Sequence, residues 1–310
     1  MRTSVIALML TASFLEACQP YNRSGESMTS GSLRAGIDES FTLLMQSEVD
    51  VFHNDYPNAK VEALFMPEAD VIDALMRDSI QSAVITRDLT EEERAAFRNR
   101  QKLPESARIA TDGIALIVHR ENPDSVLRLS QVDSLFRGTI SSWSEVGEEH
   151  QGDPVRIVFD NNRSSNARYI RERFLAGAEF PANCFAVHSN SDVIDYVSKN
   201  KDAIGVISVA WIADREDSTS QDFLSRVRVI GIIDPSNLDK PSMPRKPYQA
   251  YIWDKTYPLR RDVYAIRTSA RTSVGTGFVS FLRGERGQLI IHKMGLVAEQ
   301  TPARIIRISE

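Results

Sequence analysis

From Leu33 onward, short β-branched runs alternate with amphipathic segments, and this alternation limits the fold more than any single motif does. A strand–helix–strand order calls for parallel strands with helices laid on the sheet faces. The spacing predicts strands over 33–37, 60–65 and 82–86 and a long extended run over 109–119. Between them it predicts a helix over 40–55, with Phe41, Leu44, Met45, Glu48 and Phe52 on one face and Ser40 as cap. A second helix contains 70–77, and the Thr90–Glu93 stretch has capping-box spacing for a third. The pattern then restarts. Helices are predicted over 130–136, with Ser130 and Asp133 at capping-box spacing, and over 164–175, 189–199, 274–283 and 287–294; strands are predicted over 155–159, 203–208, 227–233 and 248–253. Two α/β units in series fit this order. So does a chain that crosses twice between two lobes, with 109–119 and 259–267 as the crossing segments. A ligand would then sit in the cleft between the lobes.

The N-terminus is of another kind. A short basic start is followed by an apolar run over 5–15, too short to span a bilayer, and then by Leu15-Glu16-Ala17-Cys18. This pattern resembles a bacterial lipobox, which predicts a signal peptide over 1–17, lipidation of Cys18 and a polar tether over 18–31. The product would be anchored to a membrane rather than embedded in it. The other cysteine is Cys184, so no intrachain disulfide survives lipidation. The histidines His53, His119, His150, His188 and His292 show no ligand-pair spacing, and we expect no metal and no cofactor. A formal net charge of −5 argues against a nucleic-acid partner. There is no G-x-S-x-G, S-x-x-K, zinc-ligand pair or Walker A loop, which argues against an enzyme.

The stretches "ESFTLLMQSEVDVFHNDYPNAKVE", "AVITRDLTEEE", "IATDGIALIVHRENP", "LSQVDSLFRGTISSWSEV", "DAIGVISVAWI", "YPLRRDVYAI" and "FVSFLRGERGQLIIHKMGLVA" occur in this order. Together they resemble the PstS-like periplasmic phosphate-binding proteins of ABC importers, from about Leu33 to the end. The resemblance implies an α/β, two-lobed periplasmic-binding-protein-like fold. Each lobe would be a mostly parallel sheet flanked by helices, with the two crossing segments as hinge. Residues 32–112 and 260–310 would form lobe 1, and 113–259 lobe 2. It further implies a non-catalytic solute-binding lipoprotein on the periplasmic side of the envelope, capturing phosphate or a related oxyanion for an importer's membrane permease subunits.

Helix N-termini supply free amides and a favourable dipole for such an anion. Two follow strands, one at Asp38-Glu39-Ser40-Phe41 and one at Ser164-Ser165-Asn166, where the family typically carries Ser-Gly-Thr. Ser40, Phe41, Thr86, Ser164, Ser165 and Asn166 are therefore candidate contacts, with Arg87 and Arg168 as planar forks suited to phosphate. The plainer alternative is that Ser40 and Ser164 only cap helices. The chain also departs from the family. Gln81 stands where relatives commonly open the third strand with aspartate, and Asp160 where they carry arginine. The familiar Asp–Arg pair is absent from both of its places. Asp160 or Asp112 could accept a proton from phosphate, but a carboxylate without a cation also repels a dianion. The expectation is a remodelled anion site. A sensor or accessory envelope lipoprotein of the same fold is the alternative.

Overall fold

A computed structural model describes residues 26–147, 153–213, 218–238, 240–269 and 271–300. The expected signal peptide and Cys18 lie outside the described residues. The tether stretch yields to structure before its expected end: Ser27 bridges Ser30, and Gly31 is already the first residue of a strand.

The first sheet begins with β1 (Gly31–Asp38), followed by a 3-10 turn at Glu39–Phe41 and α1 (Thr42–Asp55). Then come β2 (Ala59–Met66), α2 (Glu68–Met76), β3 (Ser82–Ile85) and α3 (Glu91–Asn99). β1 pairs in parallel with β2 and β3, as the strand–helix alternation requires. Thr90 and Glu93 form the reciprocal capping box read from the sequence. Alternation along β1 sends Ala35 and Ile37 to the main core and Gly36 to the other face. A Cβ on Gly36 would lie 2.5 Å from Ile80 Cδ1 and 3.0 Å from Val71 Cγ1, so α2 sits this close only because residue 36 is glycine.

β4 (Glu105–His119) is a single 15-residue strand that serves both lobes. Its first part pairs antiparallel with β11, and Ile114–Val118 pairs antiparallel with β8. The second lobe contains β5 (Val126–Arg128), α4 (Leu129–Arg137), β6 (Arg156–Phe159), α5 (Ser165–Leu175), β7 (Cys184–Ala186) and α6 (Asn190–Lys199). It continues with β8 (Ala203–Ser208), α7 (Ser218–Arg226), β9 (Val227–Val229) and β10 (Gly231–Ile233). β6 pairs in parallel with β7 and β8, so the outer strands of both sheets are parallel and the crossing strands antiparallel. Gly205 in β8 repeats the role of Gly36: a Cβ there would meet Val193 and Val197 of α6 at 2.7 and 2.8 Å. After α8 (Gln249–Trp253), the chain returns through β11 (Arg260–Arg267) and closes with α9 (Val274–Arg283), α10 (Glu285–Lys293) and β12 (Val297–Ala298). Phe52 of α1 packs edge-on against Phe278 and Phe281 of α9, with ring centroids 5.3 and 5.4 Å apart. At the crossing itself the Ile114 amide bonds the Leu259 carbonyl, and the buried Tyr257 hydroxyl donates to the Ile114 carbonyl at 2.5 Å.

Three expectations change. The strand predicted over 248–253 is the helix α8; Ile252 buries into the core while Gln249 donates to the Leu296 carbonyl at 2.5 Å, so tertiary contacts override an aromatic, β-branched composition. The strand predicted over 227–233 breaks at Ile230 into β9 and β10, which pair with β4 and β5 respectively. The N-cap of α4 is Arg128, whose amide donates to Gln131 Oε1 at 2.9 Å, so Ser130 and Asp133 lie inside the helix and form no capping box.

Candidate ligand-binding site

The two helix starts singled out in the sequence meet. Ser40 Oγ and Ser165 Oγ, 125 residues apart, lie 3.2 Å from each other, and both residues are fully buried. Ser40 is placed by the turn after β1, whose N-cap Asp38 accepts the Ser40 amide on Oδ1 at 2.9 Å. Ser165 opens α5 behind its cap Ser164, whose Oγ accepts the Ala167 amide at 3.1 Å. The amides of Ser165 and Asn166 open α5 beside this contact and have no intrahelical acceptor.

A cation absent from the sequence expectation completes the cluster. Arg261, the second residue of β11, is buried and donates from Nη1 to Ser165 Oγ at 2.9 Å and from Nε to Asp112 Oδ2 at 3.0 Å. Its Nη2 lies 3.0 Å from the same carboxylate oxygen but makes no hydrogen bond. The guanidinium also sits 5.7 Å from the Phe41 ring centroid, which places Phe41 beneath the cation. Asp112 is held on its other oxygen by Ser208 Oγ at 3.0 Å. Strand register makes this pair: Arg261 stands opposite Asp112 where β11 and β4 run together. Burial raises the Asp112 carboxyl above its usual range, and Arg261 offsets part of that rise. The Asp–Arg pair that is missing from its familiar places thus exists, built from the two crossing strands. Two adjacent arginines at the start of a predicted crossing strand were the available signal, because a two-residue period must turn one of them inward.

Asp160 does not act as a bare charge. Ser164 Oγ donates to Oδ1 at 2.6 Å, and Asn166 Nδ2 and Asn190 Nδ2 donate to Oδ2 at 3.0 and 2.9 Å. It organises the start of α5, while burial raises its pKa. The acids of the first lobe are less well satisfied. Burial, then Glu68, pushes Asp38 up to about 7 against the pull of Arg261. Burial, then Asp160, pushes Glu39 up to about 8.

The remaining candidates are engaged by other side chains of the protein. Thr86 donates through its amide and hydroxyl to Glu68 Oε2 at 2.7 and 2.6 Å. Arg168 reaches across the lobes, with Nε 2.5 Å from Glu68 Oε1 and Nη2 2.8 Å from Thr86 Oγ1. Against the burial that would raise it, Arg168 holds the Glu68 carboxyl below its ordinary value. Arg87 closes its fork on Glu93 of its own lobe, at 2.8 and 2.7 Å. Near them, Arg163 joins Asp70 and Asp73 of α2 at 2.9 and 2.6 Å, and the Ala69 amide bonds the Arg163 carbonyl at 3.2 Å. The lobes are closed on one another by these contacts. Sequence reasoning missed Asp38 and Glu39 as site walls, and also Glu68, Asn190, Ser208 and Arg261. Among the described residues, no group of His, Cys, Asp and Glu is arranged to hold a metal ion.

The chain is similar to several known proteins. The phosphate-binding protein PstS of Pseudomonas aeruginosa is 21% identical over 298 residues, covering 89% of this chain and 85% of that protein. A phosphate ABC transporter substrate-binding protein of Clostridium perfringens, solved with bound phosphate, superposes with a TM-score of 0.70 at 23% identity, covering 87% of this chain and all of the other. An ABC-type phosphate transport receptor from Vibrio cholerae gives a TM-score of 0.64 at 22% identity over 86% of this chain. The family model of the PBP superfamily domain matches residues 22–286, and the chain therefore belongs to the PBP superfamily.

Proposed function

We propose that this chain is a non-catalytic solute-binding protein that captures phosphate or a related oxyanion between its lobes for ABC-type import. The observation that carries the reading is the meeting of Ser40 and Ser165, from helix starts on opposite lobes, with Arg261 bonded to one of them. Two hydroxyls, the first amides of α5 and one guanidinium make a charge-assisted cradle for a tetrahedral anion. The serines touch, so the anion enters as the lobes part and is held as they close, with the paired crossing strands β4 and β11 as pivots. Lobe 1 is residues 32–112 with 260–310 and lobe 2 is 113–259 in this reading. The phosphate-binding names of relatives from Pseudomonas aeruginosa and Vibrio cholerae support the choice of ligand.

Ser40, Phe41, Ser164, Ser165, Asn166 and Asp112 belong to the cradle or its support, whereas Thr86, Arg87, Arg168 and Asp160 shape it from behind. Calorimetry with phosphate and sulfate tests the proposal: micromolar or tighter phosphate binding that vanishes in Ser165→Asp supports it, and no heat from either anion removes it. Lipidation at Cys18, residence on the periplasmic side of the envelope and hand-over to permease subunits are parts of the same proposal. Mass spectrometry of the mature N-terminus and a pull-down from membranes check them.

The sensor or accessory alternative draws on one observation, the acidic wall at Asp38 and Glu39. A pull-down that returns envelope proteins other than permease subunits would favour it.

A further inference from the structure

The closed cleft carries polar atoms that an inorganic oxyanion does not satisfy. Asp38 Oδ2, Glu39 Oε1 and Asn166 Oδ1 are buried without a hydrogen-bond partner, and Arg261 Nη2 is a donor in the same condition beside them. Asp38 and Asn166 are completely buried. Their orientation follows from what their other atoms hold. Asp38 gives Oδ1 to the Ser40 amide, and Arg261 and Ser165 of the cluster are among the groups that act on its carboxyl. Asn166 spends its amide nitrogen on Asp160 Oδ2 and Asn190 Oδ1, at 3.0 and 3.1 Å, which turns its oxygen away from both. Glu39 extends from the first lobe toward the second, where Asp160 is its strongest charged neighbour.

Three unsatisfied side-chain acceptors against one side-chain donor are more than phosphate can answer, because an oxyanion offers acceptors and at most a proton or two. An ammonium group has the complementary inventory, with three donors and no acceptor. The charge balance points the same way. Arg261 is bonded to Asp112 and also acts on Asp38 and Asp160, Glu39 adds a further acid next to those two, and Glu68 is already matched by Arg168. A buried dianion added to that wall costs Coulomb energy that an attached cation would offset.

We infer that the ligand is an oxyanion carrying an ammonium arm, an aminoalkylphosphonate or a phosphorylated amine, with its phosphoryl end on Arg261, Ser40 and Ser165 and its ammonium among Asp38, Glu39 and Asn166. The inference rests on the oxyanion reading above and narrows its substrate class. Protonation of Asp38 or Glu39 would relieve the same imbalance, but it would give no preference for an amine.

The test is calorimetry at pH about 8 on the mature chain with phosphate, ethylphosphonate and 2-aminoethylphosphonate. The amine is expected to bind at least about tenfold tighter than its ethyl counterpart, and Glu39→Gln should reduce that ratio to about twofold or less. Glu39→Ser is the second variant and should narrow the ratio in the same way. Phosphate binding with equal affinities for the two phosphonates overturns the ammonium arm and leaves the oxyanion reading standing. A full preference retained in both variants overturns the assigned placement. Absence of heat from all three ligands removes the oxyanion reading and the inference together.

Discussion

The two helix starts that face each other across the cleft follow the same strand-to-helix plan and present opposite chemistry. On the second lobe, α5 is capped by the neutral hydroxyl of Ser164, and the nearby acid Asp160 is saturated by three donors from Ser164, Asn166 and Asn190. On the first lobe, the 3-10 turn is capped by a carboxylate, and Asp38 consumes the Ser40 amide that an anion would otherwise use. One start is open to an anion, whereas the other already holds one of its own. A helix N-terminus therefore becomes a binding element only when its cap leaves the dipole unanswered. An oxyanion should engage α5 and Arg261 first, and closure should then bring Ser40 over it.

Arg261→Met should disturb this asymmetry most, because it removes the cation and leaves Asp112 buried and unpaired. Loss of one partner of a buried pair costs about 3–5 kcal/mol, read as a lower urea midpoint, and anion binding should vanish. The double variant Arg261→Met/Asp112→Leu should regain much of the stability and none of the binding. Full phosphate affinity in the single variant would show that the open start captures the anion alone.

Ser164→Ala should cost about 1 kcal/mol through the lost cap, and more if Asp160 is left short of a donor. Affinity should fall together with stability, because the same hydroxyl orients the first turn of α5. The matching change on the other lobe, Asp38→Asn, should instead raise anion affinity, since it removes a charge and leaves an oxygen to cap Ser40. Equal losses in both variants would erase the contrast between the starts.

The contrast also predicts a pH response. Asp38 and Glu39 are raised from 3.8 and 4.5 to about 7 and about 8, so the folded chain holds more protons than the unfolded chain between those limits. Stability contributed by these groups is present at low pH and should decline as pH rises from about 4 toward about 8, then level off. Asp38 faces Glu68, Arg261 and Ser165, and Glu39 faces Asp160, Asp38, Asp70 and Asp192; the acids among these steepen the decline and Arg261 moderates it. Unfolding midpoints across this range should flatten in Asp38→Asn/Glu39→Gln. Unchanged curvature would remove these two acids as its source.

The smallest effect on stability is expected at Arg163. Its pairs with Asp70 and Asp73 are about half exposed, and Arg163→Ala should cost less than about 1 kcal/mol. Small-angle scattering should nevertheless detect a larger radius of gyration without ligand, because these pairs bridge the lobes.

Much of the architecture was legible because it is local. The capping box at Thr90 and Glu93, the Ser164 cap and the helix Val274–Arg283 all satisfy their hydrogen bonds within a few residues. The site was legible in part for the same reason, since Ser40 and Ser165 could be found as helix starts. The segment Gln249–Trp253 was not, because its five residues carry strand-like side chains and take their helical form from anchoring to Leu296 and the core.

The sequence by itself determined the strand–helix alternation, the caps at Thr90 and Ser164 and the two serine turns, since the caps and turns depend on neighbours three or four positions away. Only the tertiary structure decided that Arg261 would answer Asp112 across 149 positions, that Arg168 would turn to Glu68 across 100, and that Asp160 would be screened by amides. Those choices follow from strand register and lobe closure, where a buried charge takes whichever partner the folded chain brings within reach.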